Sequence, residues 1–259
     1  MAISSVSKSS TVLRALKVLE VVGGTREAVS AADVAQEIGA DRSTTYRMLA
    51  TLEDAGYVVR DDSARKFKLS YKVISLGRNL LAEDEQHELI RAALRELAAT
   101  TGETVNYSVL EGRETVIVMR AKGSQLVSVD FQVGDRAAVH CTSIGKILLA
   151  YQTRAFVEDV IACGLPLVAK NTITDPEVFR AELQRVRSQG YAIDDGEFAD
   201  EMRCIAVPIF ESGGKVKGGI NFSGPHSRFT YEKLDELREL ALKVARCLSE
   251  KLGGADWPT

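Results

Sequence analysis

Cysteine, histidine and proline are scarce in this chain, with 4, 3 and 5 among 259 residues. The four cysteines, Cys141, Cys163, Cys204 and Cys247, form no CxxC pair and lie far apart. That spacing excludes a disulfide framework and a zinc finger, so reduced thiols, no metal site and no cofactor are expected. Long apolar runs are missing too. The longest, such as IAVPIF at 205–210, fall far short of the ~20 residues that span a bilayer, and the opening MAISSVSKSSTVLRALKVLE has no apolar block of signal-peptide type. A cytoplasmic protein without membrane contact is the expectation. Neither sign of charge dominates, at a net −3, and 45% apolar content is ordinary for a globular chain that buries a core.

The near-neutral total hides a division. Residues 1–78 hold 12 Lys/Arg against 9 Asp/Glu, whereas residues 79–259 hold 21 against 27. A front end of net positive charge tolerates polyanions, and the back end does not seek them. Within the front end, Leu13, Leu16, Leu19 and Val22 recur at helical spacing until Gly23-Gly24, which predicts a first helix. SAADVAQEIG at 30–39 predicts a short second helix, started by Ser30 with Asp33 three residues on and closed by Gly39, with Val34, Ala35 and Ile38 inward. Asp41 can cap a third helix, RSTTYRMLATLEDAG, and the tight turn between the two makes a helix-turn-helix.

The third helix divides by face. Thr45, Met48, Leu49 and Leu52 cluster on one side and are expected in the core. Ser43, Tyr46, Arg47 and Ala50 lie opposite, with Arg42 and Thr44 on the first turn beside them. Arginines and short hydroxyl side chains on a narrow exposed face suit a helix that enters a DNA major groove, although a merely solvated face has the same composition. The next stretch, YVVRDDSARKFKLS, alternates apolar and polar residues about a turn-forming DDS and predicts a hairpin with Arg60, Arg65, Lys66 and Lys68 as its cations. A basic hairpin after a recognition-type helix is a winged helix, whose wing adds affinity for phosphates.

Seven stretches, in order, resemble the IclR family of bacterial transcription regulators: VLRALKVLEVV, STTYRMLATLEDAGYV, YKVISLG, LRELAATTGETVNYSVLEG, HCTSIGKILLA, RCIAVPIF and NFSGPHSRFT. The resemblance covers nearly the whole chain. It implies a regulator, not an enzyme, that binds double-stranded operator DNA and a small organic acid effector.

Residues 71–102 look helical almost throughout, with Gly77 as a break and Leu89, Ile90, Leu94 and Leu97 inward on the second part. Ile74, Leu76, Leu80 and Leu81 are more than a small winged domain can bury. They either pair with a second subunit, as a homodimer or homotetramer, or dock on the chain's own second domain. From residue 103 short strands follow: TVNYSVL, ETVIVMRA, LVSVDF, RCIAVPIF and KGGINFS. Helical segments near 143–162 and 176–190 are interposed, and YEKLDELRELALKVARCLSEKLG is a final helix. The expected class is α+β: a winged helix-turn-helix at 1–71, a linker or dimerisation helix at 72–88, and an antiparallel sheet flanked by helices at 89–259. The resemblance implies that this last part is a GAF-like effector-binding domain.

The stretch AVHCTSIGKILLA at 138–150 sets His140, Cys141 and a Gly-Lys pair together. It is not a phosphate loop, because position 140 is histidine rather than glycine and Ile147 follows Lys146. A cysteine nucleophile needs a base within reach, but neighbouring residues on a strand point to opposite faces. Zinc binding by His140, Cys141 and Cys204 lacks ligand spacing. A helix N-terminus surrounded by Ser143, Ile144, Gly145 and Lys146 suits an anionic ligand. The resemblance implies an effector cup with this loop as one wall and Cys204, Ala206, Asn221 and Ser223 opposite, with Tyr107 and Met119 as further candidates. As strand residues, Cys204 and Ala206 are equally suited to a core. Glu201 and Asn221 depart from the family pattern, which usually has glycine and a small or hydroxyl residue there. Two readings from other classes stand beside the regulator: a cytosolic cysteine enzyme using Cys141, and a winged helix that binds protein rather than DNA.

Overall fold

The computed structural model describes residues 8–25, 27–61, 65–77 and 85–254. The chain divides into two compact units, 1–82 and 83–259. No helix among the described residues is long and apolar enough to cross a membrane.

In the first unit, α1 (Ser10–Gly23), α2 (Ala31–Ile38) and α3 (Arg42–Asp54) pack with a three-stranded antiparallel sheet in the order β1 (Val29–Ser30), β3 (Lys66–Leu69), β2 (Val58–Asp61). The helix ends form as their caps predict. Ser30 accepts from the Asp33 N–H while Asp33 accepts from the Ser30 N–H, and Gly39 takes the left-handed conformation that ends α2. Asp41 then caps α3 by accepting from the Thr44 N–H at 2.8 Å. The core joins Val18, Val22, Ala31, Val34, Leu49, Val58 and Phe67. On α1 the periodic residues part company: Val22 is buried, but Leu13 and Leu16 are half exposed. The helix turns Val18 inward in their place. Residues 62–64, most of the expected hairpin turn, lie outside the described residues.

A short helix, α4 (Lys72–Gly77), is the last described element of the first unit, and α5 (Glu85–Thr101) begins the second unit. Leu80 and Leu81 of the expected linker lie outside the described residues. The second unit is built on a six-stranded antiparallel sheet in the order β6 (Arg136–Ala138), β5 (Glu114–Ala121), β4 (Val105–Glu111), β9 (Lys215–Pro225), β8 (Met202–Glu211), β7 (Ala192–Asp195). Helices α5 and α9 (Tyr231–Lys251) cover one face. Their Ile90, Leu94, Leu97, Leu234, Leu237, Ala241 and Leu248 meet Val105, Tyr107, Ile205, Val207, Ile209, Ile220 and Phe222. Helices α6 (Ser143–Ala150), α7 (Arg154–Ala162) and α8 (Pro176–Gln189) cover part of the other face, where Ile147, Leu148, Leu149, Phe179 and Leu183 pack with Ala192 and Ala206. Close backbone approach favours glycine at 219, where a Cβ would stand 2.8 Å from the Val207 carbonyl oxygen.

Two expectations fail here. LVSVDF at 126–131 is irregular rather than a strand. Its carbonyls are taken by side chains: Arg228 Nη2 donates to the Val127 oxygen at 2.8 Å and Arg120 Nη2 to the Val129 oxygen at 3.2 Å. The edge strands β6 and β7 were not expected, since RAA and AIDD are too short to show alternation. Tyr107 and Met119 also leave the expected cup, because strand alternation turns both into the core under α5 and α9.

Leu94, 1% exposed, sits centrally in that core. Leu94→Ala is expected to cost about 2–5 kcal/mol of stability, read as a lowered denaturation midpoint.

Candidate nucleic-acid interface and ligand cup

Helix α3 buries Thr45 and Leu49 completely and leaves Arg42, Ser43, Tyr46 and Arg47 exposed along one side, with Thr44 half-buried beside them. A single helix of ~10–12 Å diameter fits the ~12 Å width of a major groove. Ser43 Oγ donates to Asp41 Oδ1 at 2.7 Å, and Asp41 is held well below its ordinary value by hydrogen bonds from Thr44 and Ser43. Arg47 Nη2 lies 3.3 Å from Thr44 Oγ1, which inclines its guanidinium along the helix. Tyr46 does more than present an edge to solvent. Its hydroxyl accepts from Arg60 Nη1 of β2 at 2.9 Å, and its ring meets Phe67 of β3 edge-on at 6.2 Å. Tyr46 therefore ties the helix to the hairpin. Arg65, in the left-handed region at φ 51°, stands exposed at the hairpin end, and Lys66 opens β3.

In the second unit, strand alternation sends Ser108, Asn221, Ser223 and Cys204 to the face opposite α5 and α9. There they line a small void of about 40 Å³. Thr115 and Ile117 of β5, Met202 of β8 and Thr142, Ser143 and Ile144 at the start of α6 complete the walls with Phe131 and Phe198, whose rings meet edge-on, centroids 6.0 Å apart. The lining is mostly neutral. Asp135 and Arg136 stand at its edge, and Arg136 is engaged by Glu111 and Glu114. Ser108 Oγ, Ser143 Oγ and Asn221 Oδ1 are buried without a hydrogen-bond partner.

Of the residues expected from sequence, Ser143, Ile144, Cys204, Asn221 and Ser223 meet in this void, and Gly145, Lys146 and Ala206 do not. Helix α6 starts at Ser143, four residues before the apolar run ILLA, capped by Thr142, which accepts from the Gly145 N–H at 3.0 Å. Gly145 faces backbone rather than ligand: a Cβ there would stand 2.1 Å from the Val139 carbonyl oxygen. Ala206 packs in the core with α6 to α8. Glu201 is exposed, and its backbone oxygen accepts from the His226 N–H. Phe131, Phe198, Met202, Ser108, Thr115 and Ile117 were missed, since nothing in a single sequence marks a strand's polar face as cup rather than solvent.

Comparison with known proteins decides what these two sites belong to. Residues 11–62 match the IclR helix-turn-helix domain, and residues 80–250 match the bacterial transcriptional regulator IclR C-terminal domain. The HTH-type transcriptional regulator KdgR of Escherichia coli strain K12 is 32% identical over 96% of this chain and 95% of its own. The chain belongs to the IclR family of bacterial transcriptional regulators. The crystal structure of the Thermotoga maritima IclR is 28% identical and superposes with a TM-score of 0.78, covering 94% of this chain and 98% of that one. An IclR homologue from Microbacterium hydrocarbonoxydans, solved in complex with 4-hydroxybenzoate, is 27% identical with a TM-score of 0.73 over 93% of this chain and 100% of its own.

In this IclR-family regulator, Cys141 is a packing residue. It is fully buried, not on a strand, and its thiol is pushed up to about 12 by burial and then by the charges of Asp194 and Glu197. His140 turns its Nε2 to the Pro166 oxygen at 2.9 Å. No group of three His, Cys, Asp or Glu among the described residues could hold a metal ion.

Lys146, expected at the ligand, is instead the centre of a buried ionic cluster. Only 1% exposed, it contacts Glu197 and lies 3.1 Å from Glu182. Burial raises the Glu197 carboxyl, whereas Glu182, which burial would also raise, is held below its usual value by Arg185 and Lys146. Asp194 on β7 accepts from the backbone N–H groups of Glu197 and Phe198, so this cluster fixes the loop that brings Phe198 to the cup. Burial, with Glu197 adding to it, pushes Asp194 up to about 7.

Two outcomes are expected. Lys146→Ala leaves the buried Glu197 carboxylate without its cation, while Glu182 keeps Arg185, and should cost about 3–5 kcal/mol, measured by denaturant unfolding. Asp194 binds its proton more tightly folded than unfolded. Its contribution to stability is therefore full below its ordinary value of 3.8 and is lost as pH rises towards about 7. Unfolding at several pH values should show Asp194→Asn flattening the decline across that window.

Proposed function

We propose that this regulator reads operator DNA with the exposed side of α3 in the major groove, where Arg42 and Arg47 reach guanine edges or phosphates and Ser43 and Thr44 lie alongside. Tyr46 holds the helix against the hairpin, and Arg65 and Lys66 meet the phosphate backbone. The carrying observation is that Arg42, Ser43, Tyr46 and Arg47 stand in water on a helix that buries Thr45 and Leu49 on its other side. The protein works in the cytoplasm as a homodimer or homotetramer. Val12, Leu13 and Leu16 on α1 and Tyr71, Ile74 and Leu76 around α4 support that assembly, because all six are exposed in the single chain. Paired readers would meet half-sites ~34 Å apart.

The second unit takes a small organic acid in the void above Cys204. The first turn of α6 supports this reading, since the N–H groups of Ser143 and Ile144 have no partner within the helix and favour a carboxylate. The 4-hydroxybenzoate held by the Microbacterium relative is an acid of this class. A ligand that binds one arrangement of the DNA readers better shifts the population towards it, and release from the operator relieves repression.

The test uses duplexes selected by the full-length protein from a random library. Arg47→Ala is expected to lower affinity by about 1–3 kcal/mol or, where it meets phosphate, to make the salt dependence shallower. Unchanged affinity across salt concentrations would remove α3 as the reading helix. A winged helix that binds only protein would show no steep salt dependence at all.

A further inference from the structure

We infer that Arg60 and Tyr46 are a positioning pair rather than DNA contacts: together they fix the angle at which the basic hairpin leaves α3, and so decide whether Arg65 and Lys66 reach the phosphate backbone. This rests on the reading above of the hairpin as a phosphate contact. The four cations expected on the hairpin do not share a face. Val58 and Phe67 are buried. Arg60 follows Val58 by two residues and stands directly opposite Phe67 in the register of β2 and β3. Alternation therefore turns Arg60 to the inner face with both of them, while Lys66 and Lys68, on either side of Phe67, pass to the outer face. Arg65 lies before the strand.

A guanidinium turned towards a core keeps its charge and needs partners there. The Arg60 guanidinium carbon lies 5.9 Å from the centroid of the Tyr46 ring and 6.0 Å from that of Phe67, and Arg60 Nη1 donates to the Tyr46 hydroxyl at 2.9 Å. The two rings meet edge-on at 75°. Tyr46 comes from α3, Arg60 from β2 and Phe67 from β3, so this one group of side chains joins the helix to both strands of the hairpin. Its bonds are used within the protein. A phosphate contact by Arg60 would require it to leave both rings and the hydroxyl that accepts from it, and the Tyr46 hydroxyl, although its side chain is partly in water, is already engaged. A planar guanidinium suits this stacked place, where the charge alone would not.

The experiment titrates the full-length protein, at several salt concentrations, with duplexes that it selects from a random library. Tyr46→Phe removes one oxygen atom and no charge. It is expected to weaken binding by about threefold to tenfold, the scale of one net hydrogen bond, and also to make the salt dependence shallower by about one phosphate contact, ~0.9 in the slope of log affinity against log salt. A neutral substitution can do this only by moving cations that lie elsewhere. Arg60→Met should give similar losses, and the double variant should be no worse than the poorer single one. In a protein that already carries Arg65→Ala and Lys66→Ala, Tyr46→Phe should change affinity by less than about twofold. Thermal denaturation checks that each variant folds; if Arg60→Met does not, the two Tyr46→Phe measurements carry the test. Unchanged affinity for Tyr46→Phe, or a loss with unchanged salt dependence, overturns the pairing, the second outcome making Tyr46 a base contact. Losses that add overturn it as well, because Arg60 then meets phosphate independently. If Arg65→Ala with Lys66→Ala leaves the salt dependence as it was, the hairpin reading itself falls, and the pair's role with it.

Discussion

The alternation of side chains across β4, β8 and β9 is the constraint on which the second unit depends. Val105, Tyr107, Ile205, Val207, Ile209, Ile220 and Phe222 pass to one face and meet α5 and α9, so Asn106, Ser108, Cys204, Ala206, Asn221 and Ser223 must pass to the other. A sheet whose second face met water would need no further explanation for those polar residues. Here that face is covered in part by α6 to α8, and the uncovered part becomes a cup because an irregular segment closes over it. Arg228, anchored on buried Glu103 at 2.7 Å, holds that segment in place through the Val127 carbonyl.

The covering helices bring a charge problem with them. Lys146 projects from α6 into a region sealed from water, where an unpaired ammonium would be prohibitively costly. Glu182 from α8 and Glu197 from the loop after β7 neutralise it, and the same loop gives two N–H groups to Asp194. The cluster thus joins the wall of the cup at α6 to the loop that carries Phe198. Buried ion pairs add little net stability once desolvation is counted. Their effect here is positional, setting where an aromatic ring stands in the wall of the cup.

The first unit follows a different logic, in which local rules agree with the tertiary arrangement. Ser30 with Asp33, Gly39 and Asp41 end and start their helices through bonds that span three or four residues, and such bonds are encoded next to the groups they satisfy. The two faces of α3 separate as its period requires. Tyr46 is the exception, because its partners Arg60 and Phe67 come from strands 14 and 21 residues further along. A solvent-facing tyrosine and one that links helix to hairpin look alike in sequence.

By itself the sequence determined the helix-turn-helix, its exposed arginine face, the basic hairpin, the longer strands and the order of family segments, because capping, periodicity and alternation act between neighbours. It also singled out Ser143, Ile144, Cys204, Asn221 and Ser223. Only the tertiary structure decided that Lys146 meets carboxylates 36 and 51 residues away rather than a ligand, and that Gly145 is small to admit the Val139 backbone. It likewise decided that Tyr107 and Met119 belong to the core, and that Asn106 stands opposite Asn221. Each of these depends on which segments are brought face to face across the sheet. A residue's type records what it can bond to, but its partner is chosen by packing.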